Sequence, residues 1–197
     1  TLEDPLVLGS IEIPEGSVKL KDVDTVIDKI HADVKFEGRT ILLNDLSAVL
    51  GKGKVAASGS YALREDADIP YGLKIVAENA ELASEIFSGK INSNIEIVPQ
   101  EYRDFARKQG NQPAPLAYRP LIKGSVKLDD VLINMPTVPE MSEEEGGNYG
   151  MDLKIELGDK IHLFNKYLYD IWLCGDMHIK GSTVFPIIDG KIHADKG

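Results

Sequence analysis

The sequence predicts an all-β protein whose many short strands form one long, repetitive sheet. Apolar and polar residues alternate with a period of two over most of the chain, which places the two sets on opposite faces of a sheet. A phrase of glycine, a small or polar residue and an alternating run returns at residues 9–13, 59–63 and 124–128. Glycine marks positions where a strand bends or turns tightly. Strands separated by glycine in this way predict a long, repetitive sheet. In such a sheet an extended face can carry the function, and no catalytic site is needed.

The first half of the chain contains a series of predicted strands. Glu37, Gly38, Arg39 and Thr40 form a hairpin signature between two of them. Residues 81–87 break the alternation and end before Gly89, which predicts one or two helical turns. The predicted strands are residues 6–13, 17–20, 30–37, 41–43, 46–50, 54–63 and 71–77.

The second half contains further predicted strands and two segments of different character. Residues 99–120 are an insertion with apolar residues at helical spacing, followed by a proline-rich loop. Residues 136–149 are an acidic, flexible loop without periodicity. We interpret residues 1–197 as one β unit and as a fragment of a longer polypeptide, since the chain opens at Thr1 within a β pattern. The predicted strands are residues 90–98, 121–135, 151–157, 160–164, 168–180 and 191–194.

Composition excludes several classes of function. Hydrophobic residues make up 43% of the 197 residues, which is enough to bury a core. The net charge of −10 argues against nucleic acid as a partner and against charge-driven binding to an anionic membrane. The single cysteine, Cys174, cannot form an internal disulfide. The sequence shows no apolar run of 18 residues and no signal peptide.

No motif in the sequence indicates catalysis, so we expect neither an enzyme nor a cofactor. Cys174 and His178 would share a strand face but lie roughly 13 Å apart, too far for one metal ion. His162 and His193 are isolated, and the acidic residues 143–145 lack the pattern of a calcium loop. Trp172 is expected to line the core or groove, with a sugar-stacking platform as the alternative.

One face of the predicted sheet is almost wholly apolar. The strand neighbours of its residues are mostly charged or polar, so the opposite face is expected to be solvated. The alternation alone leaves open whether this face is a closed core or an open groove. The residues of the predicted groove are Val34, Phe36, Ile41, Leu43, Leu73, Ile75, Ile95, Ile97, Val126, Leu128, Leu153, Ile155, Leu157, Ile161, Leu163, Ile171, Leu173, Met177 and Ile179.

The C-terminal third resembles a known family. Residues 149–161 (YGMDLKIELGDKI) and 170–181 (DIWLCGDMHIKG), followed by Pro186 and Gly190, resemble the C-terminal region of the TamB family, AsmA-like translocation and assembly module proteins. The family phrase is a strand, a Gly-Asp turn and a second strand, then a glycine-spaced run and a closing strand. Residues 30–63 and 77–97 fit the same pattern, whereas residues 99–120 and 136–149 depart from it.

The resemblance implies an elongated, curved antiparallel sheet, a β-taco or open solenoid-like structure with an apolar concave groove. It implies a periplasmic bridge that carries phospholipid acyl chains between the inner and outer membranes, with a parent protein anchored in the inner membrane. A role in outer-membrane protein assembly, with a barrel protein of the insertase type as partner, is implied as well. The alternative from a different class is a carbohydrate-binding or adhesin-like β-solenoid with a closed core.

Overall fold

The computed structural model describes residues 6–21, 23–63, 71–103, 116–134 and 149–196, and these residues form eleven strands and no helix. None of them belongs to a helix long and apolar enough to cross a membrane. The strands are β1 (Val7–Ile13), β2 (Val18–Lys19), β3 (Val26–Gly38), β4 (Thr40–Leu50), β5 (Gly53–Ala62), β6 (Tyr71–Ala83), β7 (Phe87–Arg103), β8 (Leu116–Asn134), β9 (Gly150–Asn165), β10 (Tyr169–Ser182) and β11 (Pro186–Lys196).

All eleven strands belong to one sheet, which confirms the predicted all-β class. The strands follow chain order from β1 through β3 to β11, and β2 pairs with β3 beside β1. Every pair is antiparallel except β8 with β9, which run parallel. The sheet is curled but stays open, because β1 and β11 at its two edges do not pair with each other.

Bulges bend several of the long strands. Lys29, Asn79, Asp130 and Lys160 have positive φ angles of 50°, 48°, 51° and 58°. Register shifts occur around these positions, for example between Ala77 and Ala80 in β6. A bulge adds a residue to one strand of a pair, which bends that strand and increases its twist. The bulges therefore contribute the curvature that a flat, regular ladder would lack.

The glycines that open the recurring phrase, Gly9, Gly59 and Gly124, all lie inside strands and not at turns, and so does Gly175 in β10. Gly124 and Gly175 have φ angles of 135° and 133°. A Cβ atom at Gly124 would collide with the carbonyl oxygen of Asn94, and one at Gly175 with the carbonyl oxygen of Lys191. Glycine is thus required where neighbouring backbones approach closely on a curled sheet.

Three local predictions are wrong. Residues 81–87 form no helical turns: β6 continues to Ala83, and Ser84 begins a tight turn into β7. Gly158 and Asp159, predicted to form a turn, lie within the continuous strand β9, where the register shifts. The ends of the segment 99–120 are strands, since Pro99 pairs with Pro120. Residues 104–115 of that segment and residues 136–148 of the acidic loop lie outside the described residues.

The buried core is small and lies on one face. Val131, Leu157 and Ile161 form its centre, with exposed fractions of 1%, 8% and 0%. Partly buried side chains from β7 to β10, including Phe87 and Leu173, pack against this centre. Because side chains of a single sheet bury one another only where they converge, the sheet is concave toward this face.

Candidate functional site

An open apolar trough on the concave face is the candidate functional site. Partners across neighbouring strands share a face, so the strand registers define rows of side chains that cross the sheet. We call this concave face the trough. The first row is Ile13, Ala32, Leu46, Ala57, Ile75, Ile95, Gly124, Leu153, Ile179 and Ile188. The second row is Ile11, Val34, Leu43, Gly59, Leu73, Ile97, Ile122, Met151, Gly181 and Pro186.

Both rows run without a polar residue from β1 at one edge to β11 at the other. Each row crosses ten strands, and strands lie about 4.8 Å apart, so an uninterrupted apolar path spans about 43 Å. A charged residue in either row would interrupt that path. The rows therefore provide a continuous surface for an apolar ligand.

Every residue of the sequence-predicted groove lies on this face. The register places these residues in the two rows, in rows parallel to them, or toward the ends of the strands. They are Ile75, Ile95, Leu153 and Ile179 in the first row; Val34, Leu43, Leu73 and Ile97 in the second; and Phe36, Ile41, Val126, Leu128, Ile155, Leu157, Ile161, Leu163, Ile171, Leu173 and Met177 beside them.

Sequence reasoning missed other residues of the trough. Val131 is almost completely buried, and Ala80 is 1% exposed. Both follow a bulge, which changes the parity of the alternation, so a strict period of two places them on the wrong face. The odd spacing between Leu128 and Val131, filled by two aspartates, is the signal that could have revealed the bulge.

The trough is open along its length. The described residues form a single sheet, with no second layer over the apolar face. Most side chains in the two rows are half-buried, and they become exposed toward the edges, where Ile188 is 62% accessible. An exposed apolar surface that runs the length of a molecule is typical of a binding surface.

At one side of the trough, two hydrogen bonds link the strand ends beyond the β4–β5 hairpin. The amide of Asp24 donates to the carbonyl of Ala83 at 2.7 Å, and the amide of Ala83 donates to Thr25 Oγ1 at 2.8 Å. Thr25 precedes β3 and Ala83 ends β6, although β4 and β5 separate these strands in the sheet. The start of β3 and the end of β6 therefore meet beyond the tip of the hairpin.

The opposite ends of these strands form an apolar depression with tyrosines at its edge. It has a volume of about 400 Å³, and its walls include Ile41, Leu73, Ile97, Tyr61 and Tyr71. Burial, with a smaller contribution from the neighbouring Tyr61, raises the pKa of Tyr71 above its ordinary value. The hydroxyl of Tyr71 therefore stays protonated and can donate a hydrogen bond at neutral pH.

The face opposite the trough carries ion pairs in place of apolar rows, and a depression of about 930 Å³ crosses β6 to β10 there, with Lys127, Glu156 and His178 among its walls. Lys123 lies 3.1 Å from Glu96, and Lys127 lies 2.8 Å from Glu156. His178 Nε2 lies 2.5 Å from an oxygen of Asp152. Such exposed ion pairs add little stability. They keep this face hydrated, so the trough is the apolar face of the sheet.

Acid is expected to weaken the bulge in β8. Hydrogen bonds from Lys90 and Lys160 lower the pKa of Asp130 below the ordinary value of an aspartate. A depressed native pKa stabilises the fold above the unfolded-state value, and that stabilisation disappears as the pH falls through the native value. Urea denaturation measures the free energy of unfolding at each pH. Between pH 7 and pH 3, this free energy should fall less for Asp130→Asn than for the wild type. An equal loss in both proteins would show that Asp130 does not contribute.

Trp172 does not line the trough, contrary to expectation. It lies on the face opposite the trough, where its ring stacks on His162 with centroids 4.4 Å apart and an interplanar angle of 1°. His162 Nε2 lies 2.6 Å from an oxygen of Asp170. In the part of the chain that the structure describes, no three His, Cys, Asp or Glu residues are grouped to hold a metal ion.

The chain matches no protein-family model, no curated protein and no solved structure. Its function must therefore be argued from the trough itself. The trough offers apolar side chains in repeated rows. Such a surface can hold a long apolar molecule and let it move from one row to the next.

Proposed function

We propose that this chain carries the acyl chains of phospholipids along its open apolar trough. The observation that supports this proposal is the pair of apolar rows. Each row crosses ten strands, β1 and β3 to β11. A ligand of matching chemistry must be long and apolar. An acyl chain meets both requirements, and its polar headgroup can stay in water at the open side.

The energetics favour movement over tight capture. Burial of a CH₂ group contributes about 0.8 kcal/mol, so a chain of sixteen carbons gains at most roughly 13 kcal/mol. The gain is shared among many similar side chains, since each row repeats the chemistry of its neighbour. A lipid can therefore shift by one strand while it exchanges one set of contacts for an equivalent set.

A polypeptide fits the face of the trough less well than a lipid does. The backbone groups of the sheet are paired within the sheet, and the face presents side chains alone. A peptide laid on that face would bury its own amide and carbonyl groups without partners, at a cost of several kcal/mol for each group. An acyl chain has no such groups.

The cellular setting of the proposal follows the resemblance to the TamB family. In that setting the chain is a periplasmic module of a bridge between the inner and outer membranes. A second role, as a scaffold for outer-membrane protein assembly, is favoured by the free edges of β1 and β11. Ile11 and Ile187 are exposed on these edge strands, which could pair with an incoming strand.

Extraction of the purified protein tests the lipid role directly. Mass spectrometry of a chloroform–methanol extract should show phospholipid in stoichiometric excess over an extract of a β protein of similar size. Crosslinking from β11 to barrel proteins, without lipid in the extract, would favour the scaffold role instead. Absence of lipid together with failure to bind added phospholipid would refute transport.

A further inference from the structure

The two sides of the trough differ in polarity along strands β5 to β7. On one side, β5 and β6 present Tyr61 and Tyr71, which are direct partners in the ladder. On the other side, the trough residues next to the β6–β7 turn are Leu82, near the end of β6, and Phe87, at the start of β7. Tyrosine combines an apolar ring with a hydroxyl, so it suits a boundary between apolar ligand and water. We call the side with Tyr61 and Tyr71 the tyrosine lip.

Both hydroxyls of the tyrosine lip are available to a ligand. The structure gives neither Tyr61 nor Tyr71 a hydrogen-bond partner among the described residues. Tyr61 is 53% exposed, whereas Tyr71 is half-buried. Their rings line the depression of about 400 Å³, so a molecule seated there would meet apolar walls and two donors at one end.

We infer that the tyrosine lip binds the polar end of the lipid, with the ester carbonyl or phosphate oxygens accepting hydrogen bonds from Tyr61 and Tyr71. This inference rests on the proposed function and adds the orientation of the bound lipid, with its polar end at the tyrosine lip. The acyl chains lie on the depression and along the rows that contain Leu73 and Ile75. The ligand class is therefore an acyl ester with hydrogen-bond acceptors beside its chains, and not a plain hydrocarbon.

Removal of the two hydroxyls tests the inference with the rings kept in place. The double variant Tyr61→Phe/Tyr71→Phe should bind short-chain phosphatidylglycerol about ten-fold more weakly, because two hydrogen bonds are lost. Its affinity for diphenylhexatriene, a hydrocarbon without acceptors, should stay unchanged. The control is Tyr167→Phe in the β9–β10 turn, where the side chain is 74% exposed, and this variant should bind both probes like the wild type.

The other outcomes separate this inference from the proposed function. Unchanged binding of phosphatidylglycerol, or an equal loss for both probes, would overturn the tyrosine lip and leave the trough as a lipid site. An equal loss of phosphatidylglycerol binding in the control variant would overturn it as well. A wild-type protein that binds neither probe would refute the proposed function, and the inference would fall with it.

Discussion

Replacement Ile95→Asp is expected to slow the movement of lipid along the trough, whereas Asn94→Asp should leave it unchanged. The two residues are adjacent in β7 and lie on opposite faces of the sheet. Ile95 stands near the middle of the first apolar row, between Ile75 and Gly124. A carboxylate there must lose its water when an acyl chain passes, at a cost of several kcal/mol. We expect transfer to slow at least ten-fold.

The variant Ile95→Asp should still fold, which makes the comparison informative. Ile95 is half-buried, so the carboxylate can remain hydrated while the trough is empty. The rate is measured as transfer of a fluorescent phospholipid between donor and acceptor vesicles, with urea denaturation of each variant as a check. Wild-type transfer by a folded Ile95→Asp protein would show that lipid does not follow this path. If Asn94→Asp slowed transfer equally, the change in net charge, and not the position of the carboxylate in the trough, would explain the effect.

The fold class and the face of each residue between bulges were predictable because residues of a regular strand alternate between the two faces of a sheet. Ile95 and Ile97 face the trough, and Asn94 and Glu96 face water, as a period of two requires. The same parity places Trp172, between Ile171 and Leu173, on the face opposite the trough. Its large ring suggested the core, but in a one-layer sheet position along the strand determines the face.

Bulges and turns were not predictable, because they change parity without a distinctive composition. Leu82 and Phe87 flank a tight turn, and their spacing with Ile86 imitates the apolar pattern of a helix. At Gly158 the chain continues as a bulged strand, although Gly-Asp is a common turn dipeptide. Tertiary pairing with β8 and β10 decides the outcome there, and that pairing is not visible in a local window.

The parallel pairing of β8 with β9 also lay beyond sequence reasoning. Successive strands elsewhere in the sheet pair antiparallel, which short connections favour. Val126 and Ile155 would lie on the apolar face in either direction, so alternation does not distinguish parallel from antiparallel pairing. The path of the trough is preserved because register, and not strand direction, aligns the rows.

Replacement Ile161→Ala is expected to destabilise the protein by about 2–5 kcal/mol, the range for a buried aliphatic side chain truncated to alanine. Ile161 is fully buried and packs within the cluster with Val131 and Leu157. The matched control, Ile188→Ala, removes the same atoms on the same face at a site that is 62% exposed, and should cost less than about 0.5 kcal/mol. Urea denaturation of the two variants gives the comparison.

The contrast between these two isoleucines addresses how an open trough can belong to a stable protein. Where side chains from β7 to β10 converge, the concave face buries its own residues and supplies most of the hydrophobic stability. Toward β11 the same face stays accessible and can bind a ligand without loss of the fold. If Ile188→Ala proved as costly as Ile161→Ala, the edge of the trough would be covered in solution, and a lipid could not enter there.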